Sequence, residues 1–166
     1  MTLSESFNKL KVYLESGSYD EARSQVLLIL EVIKKDSAAY EYLVRLYGKE
    51  KLEALSNLLP TVFLVTPSYN SVETISNTID SVISQNGNYI IKYHVQDGGS
   101  EDDTLQALEH YRQKIASNPS LNIQFTYSSS RDKGMYDAIY KGFSSFSMPR
   151  NSWMGWINSD DQLAEG

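Results

Sequence analysis

Cysteine is absent from the 166 residues, histidine occurs only twice, and no apolar run approaches the roughly 18 residues a membrane-spanning helix needs. The first absence excludes a disulfide framework, a thiolate nucleophile and a Cys-based zinc site. The second leaves His94 and His110 far apart, so a histidine-rich metal centre is not expected. The opening Met1-Thr2-Leu3-Ser4-Glu5 lacks the basic and apolar regions of a signal peptide. The expected location is therefore cytoplasmic, or peripheral at the inner face of a membrane. Basic residues are also short: 15 Lys and Arg against 21 Asp and Glu leave a net charge of -6. That argues against nucleic acid as a partner, since a nucleic-acid surface needs a basic patch to replace counterions. Phosphate can still be held locally, through backbone amides, a helix N-terminus or a cation.

Hydrophobic residues make up 41% and charged residues 22%, an ordinary globular composition. Two regimes follow one another, and the expected division is 1–59 and 60–166. Residues 4–55 carry a helical pattern. Ser4 can cap a first helix with Phe7, Leu10 and Leu14 on one face. Gly17 then supplies a C′ position, and Ser18 or Asp20 the next cap. Ala22, Val26, Ile29, Leu30 and Ile33 continue an apolar face, and Asp36-Ser37 caps a third stretch holding Tyr40, Leu43, Val44 and Tyr47. The segment around Gly17 resembles the turn of a tetratricopeptide repeat. No second copy follows at the expected period of about 34 residues, so the reading is an accessory helical hairpin or an interaction module for a protein partner or a second copy.

From Val62 the period changes. Val62 to Val65 reads as a strand buried on both faces, followed by a helix over 71–85, a strand over 89–95, a helix over 101–115, a strand over 121–127, a helix over 133–146 and a strand over 153–157. This alternation predicts an α/β fold with a mostly parallel sheet, whose ligands sit at the carboxyl ends of the strands.

Every unusual polar cluster falls at such an end. Thr66-Pro67-Ser68-Tyr69-Asn70 follows the first strand; Pro67 stiffens the loop and Tyr69 offers a flat face for a base. Gln96-Asp97-Gly98-Gly99-Ser100 follows the second, its glycines allowing tight turns and Asp97 able to accept a hydrogen bond from a nucleobase imide N–H. Arg131-Asp132-Lys133-Gly134 leads into a helix whose N-terminus favours anions. Asp160-Asp161 ends the fourth strand, and two adjacent carboxylates suit Mg²⁺ or Mn²⁺. Arg131 and Lys133 read either as a solvated pair around Asp132 or as phosphate contacts.

The ordered set of Thr66-Pro67-Ser68-Tyr69-Asn70, Gln96-Asp97-Gly98-Gly99-Ser100 with Asp102 and Thr104, Asp132-x-Gly134-x-Tyr136-Asp137-Ala138-x-x-Lys141-Gly142 and Asn158-Ser159-Asp160-Asp161 resembles the signatures of family 2 glycosyltransferases with the GT-A fold. The resemblance covers about residues 61–166. It implies inverting transfer from a nucleotide-diphosphate sugar, most often a UDP-sugar, to a saccharide or lipid-linked acceptor in cell-surface polysaccharide assembly, with a divalent cation as cofactor. It implies that Thr66, Pro67, Tyr69 and Asn70 lie along the nucleotide and that Asp97 reads the base edge. Arg131, Asp132, Lys133, Gly134 and Asp137 would border nucleotide or sugar, with Ser159 and Asp160 at the ribose and metal region and Asp161 ligating the cation.

Two departures from the family's pattern stand out. Tyr140 stands where relatives commonly carry Asn. The catalytic base, an acid, follows the Asp-Asp strand in this family, so it is expected beyond Gly166 and the chain is expected to carry the donor-binding half, with an unpaired sheet edge and exposed apolar surface that favour self-association. A nucleotidyltransferase would show a Gly-rich basic loop after the first strand, where Thr66 to Asn70 stand instead. A non-catalytic helical interaction protein with an inert α/β scaffold remains the alternative of a different class.

Overall fold

The computed structural model describes residues 3–35, 37–48, 59–85, 89–117, 123–148 and 152–164. The chain divides into a helical unit ending at Pro60 and an α/β unit beginning at Thr61. In the helical unit α1 (Leu3–Ser16), α2 (Tyr19–Lys35) and α3 (Ser37–Tyr47) bury Phe7, Leu10, Ala22, Val26, Ile29 and Leu43. Gly17, at φ 75°, closes α1: the Ser18 amide donates to the Tyr13 carbonyl at 2.9 Å and the Gly17 amide to Leu14 at 3.3 Å. This is the paired C-terminal bonding that needs a left-handed residue and therefore favours glycine. Asp36, the connector over 49–58, and the side chains of Asp20, Leu30, Ile33, Tyr40 and Tyr47 lie outside the described residues.

The α/β unit runs β1 (Thr61–Ser68), α4 (Ile75–Ile83), β2 (Ile90–Asp97), α5 (Thr104–Ser117), β3 (Ile123–Ser129), α6 (Met135–Ser144) and β4 (Trp153–Trp156). Its four strands are all parallel in the order β3-β2-β1-β4. The expected α/β fold with a parallel sheet is what forms. One layer is built from Leu64, Ile91, Tyr93, Val95 and Ile123 with Ile75, Ile79 and Val82 of α4 and Leu108 and Tyr111 of α5. Alternate residues of β1 and β2 face the other way, where Phe63 meets Phe146 edge-on at 5.1 Å between ring centres and α6 packs. β3 alternates as the edge strand it is, while β4 exposes Trp153, Met154 and Trp156.

Several boundaries move by two to four residues from the sequence expectation. β1 continues through Pro67 because Pro67 and Ser68 still pair with Gln96 and Asp97. The Ile157 amide donates to the Val65 carbonyl, so odd-numbered residues of β1 address β4, and the N–H that Pro67 lacks would face a ladder that has already ended. α4 starts at Ile75 rather than Ser71, since Ser71 to Thr74 form a turn whose amides go to the next loop: Ser71 N to Thr104 Oγ1 at 2.9 Å and Val72 N to Asp102 Oδ2 at 3.2 Å. Likewise α5 begins at Thr104 rather than 101, and α6 at Met135 rather than 133. Leu121 and Asn122, expected in β3, lie outside the described residues.

α6 approaches β1 at Gly142, where a Cβ would fall 2.5 Å from Cγ1 of Val65 and 3.1 Å from Cγ2. Helix propensity alone would favour Gly142→Ala by about 1 kcal/mol, but overpacking against a stiff β-branched neighbour costs about 1–3 kcal/mol. The packing term wins: Gly142→Ala is expected to lower the urea midpoint, and adding Val65→Ala recovers less than the sum of the two single effects.

His94 is buried on the α6 side, its ring nitrogens 2.8 Å from Thr126 Oγ1 and 3.1 Å from Ser128 Oγ, and burial holds its pKa below the usual 6.5. Folded protein thus binds fewer protons here than the unfolded chain, so stability is complete above pH 6.5 and falls as pH drops through the lowered pKa. Urea titrations from pH 7.5 to 5 should show this slope, and it should flatten in His94→Gln.

Candidate functional site

Because the strands are parallel, their carboxyl ends share one edge. The strand order reverses there: the chain steps from β1 out to β2 and β3, then returns to the far side of β1 as β4. Ligands of open α/β sheets bind at such a reversal. A cleft of about 520 Å³ lies at this place, within the usual range for small-molecule sites. Pro67, Ser68 and Tyr69 from β1 form one wall, Asp132, Gly134, Met135 and Ala138 from the start of α6 a second, and Asn158, Ser159 and Asp160 a third.

The loops behind these walls are clipped together. Asp97 is fully buried, and its carboxylate accepts from the amides of Gly99 and Ser100, both at 2.9 Å, from the Ser100 hydroxyl and from Ser129 Oγ at 2.6 Å. Ser100 Oγ in turn receives the Asn70 amide at 2.7 Å, and Asn70 Oδ1 receives Glu101 N at 2.9 Å. Asn70 sits at φ 47°, a left-handed position that asparagine tolerates better than most residues. Asp102 joins Val72 N to Thr104 N; its carboxyl lies below the usual range, chiefly through the Thr104 hydroxyl.

The second wall begins with Gly134, at φ 109°, which caps α6 without any side chain. A helix start left uncapped at a cleft favours an anion there. Asp132 Oδ1 accepts from Gly134 N at 2.8 Å. Asp137 takes Lys133 N and pairs with Lys141 at 3.0 Å, and Lys141, first, holds its carboxyl below the usual range. On the third wall the Thr78 hydroxyl lies 2.9 and 2.8 Å from the carbonyl oxygens of Ser159 and Asp161, so α4 props the acidic turn. Asn158 Nδ2 donates to Asp161 Oδ2 at 3.0 Å, while Asn158 Oδ1 is buried with no partner.

Of the residues singled out in the sequence, Pro67, Tyr69, Asp132, Gly134, Ser159 and Asp160 come together at the cleft. Thr66 does not: it is buried, its hydroxyl 2.8 Å from that of Tyr93. Asp97 and Asn70 are engaged as structural clips, so the carboxylate expected to read a base edge is occupied by the protein's own donors. Arg131 and Lys133 are exposed and Asp161 stands just beyond the cleft lining. Tyr140 faces solvent at 71% exposure. Ser68, Met135, Ala138 and Asn158 line the cleft without having been singled out; they lie inside the same motifs, at strand ends or the first helical turn. Thr78, one helix away in sequence, gave no signal at all.

A family model described as "Glycosyl transferase family 2" matches residues 63–166. No curated protein matches the chain. Among solved structures, the crystal structure of S. aureus TarS 1-349 is similar at 22% identity and TM-score 0.46, over 61% of this chain and 28% of that one. The same protein in complex with UDP-GlcNAc is similar at 22% and 0.46, over 61% and 27%. The mannosyltransferase PcManGT from Pyrobaculum calidifontis, in complex with GDP-Man and Mn²⁺, is similar at 17% and 0.43, over 74% and 36%. The chain thus spans less than two-fifths of the length of each of these.

The structural role of Asp97 is open to direct measurement. Asp97→Asn removes a charged acceptor from buried donors and is expected to lower unfolding free energy by roughly 3 kcal/mol in urea. A change within about 0.5 kcal/mol would mean the carboxylate is free for a ligand instead.

Proposed function

The chain belongs to glycosyl transferase family 2, and from that premise we propose that its α/β unit binds a nucleotide-diphosphate sugar for inverting transfer to a saccharide or lipid-linked acceptor. The observation that carries this reading is the cleft itself: a flat aromatic face, an uncapped helix start and a carboxylate meet at the sheet's reversal point. Tyr69, 60% exposed at the cleft, would stack a base. The first-turn amides of α6 would face the diphosphate. Asp160 would stand at the other end, beside β4.

A divalent cation fits the donor set there. Asp160, its neighbour Asp161 and the unpartnered Asn158 Oδ1 are all hard oxygens. Among the described residues no group of three or more His, Cys, Asp or Glu could hold a metal unaided. Substrate phosphates would therefore supply the remaining ligands, as they commonly do for Mg²⁺. When bound, the ion supplies positive charge against the departing diphosphate.

The residues of the chain do the positioning. Thr78 and Asn158 fix the acidic turn, and the Asp97 and Asn70 clips tie the loop that carries Tyr69 to the loop after β2 and the end of β3. Holding donor and acceptor in one geometry is worth a large part of such a barrier. Asp160 and Asp161 serve the leaving-group side, so the acceptor hydroxyl gives its proton to another group.

Calorimetric titration tests this. UDP and Mn²⁺ should each bind weakly alone and at least about tenfold more tightly together, because each completes the other's site. Asp160→Asn and Asp161→Asn should remove that coupling while leaving the fold intact. Folded protein that shows no coupling for any nucleoside diphosphate would sink the proposal.

A further inference from the structure

One position in the cleft is shaped by what its neighbour lacks. Gly98 follows Asp97 at the end of β2, and a Cβ there would lie 2.7 Å from Oδ2 of Asp132 and 3.3 Å from its Cγ. No φ in the left-handed range requires glycine at Gly98. The missing side chain instead makes room for the Asp132 carboxylate, which lines the cleft beside Pro67, Ser68 and Tyr69. Its two oxygens differ. Oδ1 accepts from Gly134 N at 2.8 Å, whereas Oδ2, the atom over Gly98, has no protein donor among the described residues. Asp97, the neighbouring acid on the same strand end, is wholly buried, with the Gly99 and Ser100 amides and the Ser129 hydroxyl on Oδ2 and the Ser100 hydroxyl on Oδ1.

We propose that Asp132, seated over Gly98, selects the donor's nucleobase by accepting a ring N–H, and so admits uracil, thymine or guanine and disfavours cytosine and adenine. This rests on the nucleotide-sugar reading of the cleft and assigns its base specificity. The orientation follows from the order of strands. The Asp132–Gly98 contact stands at the end of β2, Tyr69 follows the neighbouring strand β1, and Asp160 follows β4 on the far side of β1. A nucleotide with its diphosphate toward Asp160 therefore passes along Tyr69 and brings its base toward Gly98 and Asp132. A carboxylate is acceptor-only. It matches the ring N–H of uracil, thymine or guanine, and it meets a lone pair at the corresponding ring nitrogen of cytosine and adenine. A charged acceptor left facing a lone pair gives discrimination on the order of tenfold or more.

Two variants separate this role from a structural one. In Asp132→Asn the amide oxygen stays on Gly134 N–H, which places the NH₂ where Oδ2 was; a donor then faces the base. Gly98→Ala pushes on the far end of a flexible side chain, so it should displace Oδ2 and leave thermal stability nearly unchanged. The experiment is calorimetric titration of the intact chain and both variants with UDP, GDP, CDP and ADP in Mn²⁺. Wild type should bind UDP or GDP at least about tenfold more tightly than CDP and ADP. Asp132→Asn should collapse or invert that ratio, and Gly98→Ala should reduce it. If all four bind wild type alike, or Asp132→Asn weakens all four equally, Asp132 touches ribose or sugar and the proposal is overturned while the cleft keeps its donor. If none binds wild type, the nucleotide-sugar reading falls first and this one with it.

Discussion

The carboxylate of Asp97 is the constraint on which the sheet's working edge depends. It is wholly buried, and its hydrogen bonds to Gly99, Ser100 and Ser129 join the loop after β2 to the end of β3. Through Ser100 the same network reaches Asn70, and so the loop that carries Tyr69. A buried charge without such donors costs several kcal/mol, and one fully supplied with them is strongly directional. Loops after parallel strands have no ladder to hold them. Here an acid replaces the ladder, and the order of the cleft follows from its satisfaction.

A second set of contacts fixes the opposite wall. α4 packs Ile75, Ile79 and Val82 into the sheet, and from the same helix Thr78 reaches the carbonyls of the acidic turn while Ser81 accepts from Leu163 N at 3.1 Å. The helix that stabilises the core thus also places Asp160. Packing and site geometry are therefore coupled through one element, which is how a cleft can be set before any ligand arrives.

Much of this was legible in the sequence because hydrophobic period and turn chemistry are local properties. The buried run of β1, the alternation of β3 and the Gly17 helix stop all read directly. Residue roles at the strand ends read less well. Asp97 and Asn70 have the chemistry of ligand contacts, and only the three-dimensional arrangement shows that amides within a few residues, or across a loop, have already used that chemistry. Thr66 looked polar and available, yet its hydroxyl closes on Tyr93, 27 residues away in sequence. Gly98 looked like turn punctuation, whereas its meaning lies in the side chain of a residue on a different loop. Thr78 was invisible for the same reason: its partners are more than 80 residues away. The start of α4 shifted because Thr104 and Asp102, some 30 residues away in sequence, took the Ser71 and Val72 amides.

The contact of Gly142 with Val65 has a mechanical side. α6 is a stiff rod whose last turns rest on the sheet without the spacer of a side chain, while its first turn, about 6–10 Å away at the helical rise per residue, forms a wall of the cleft. Any thickening at that bearing must tilt or lift the rod, and a small displacement at the fulcrum arrives at Gly134 and Asp132 as a displacement of similar size. The tolerance to which the cleft is built is thus set in part at a point outside its lining, and drift in sequence at that bearing would move the wall as well as loosen the fold.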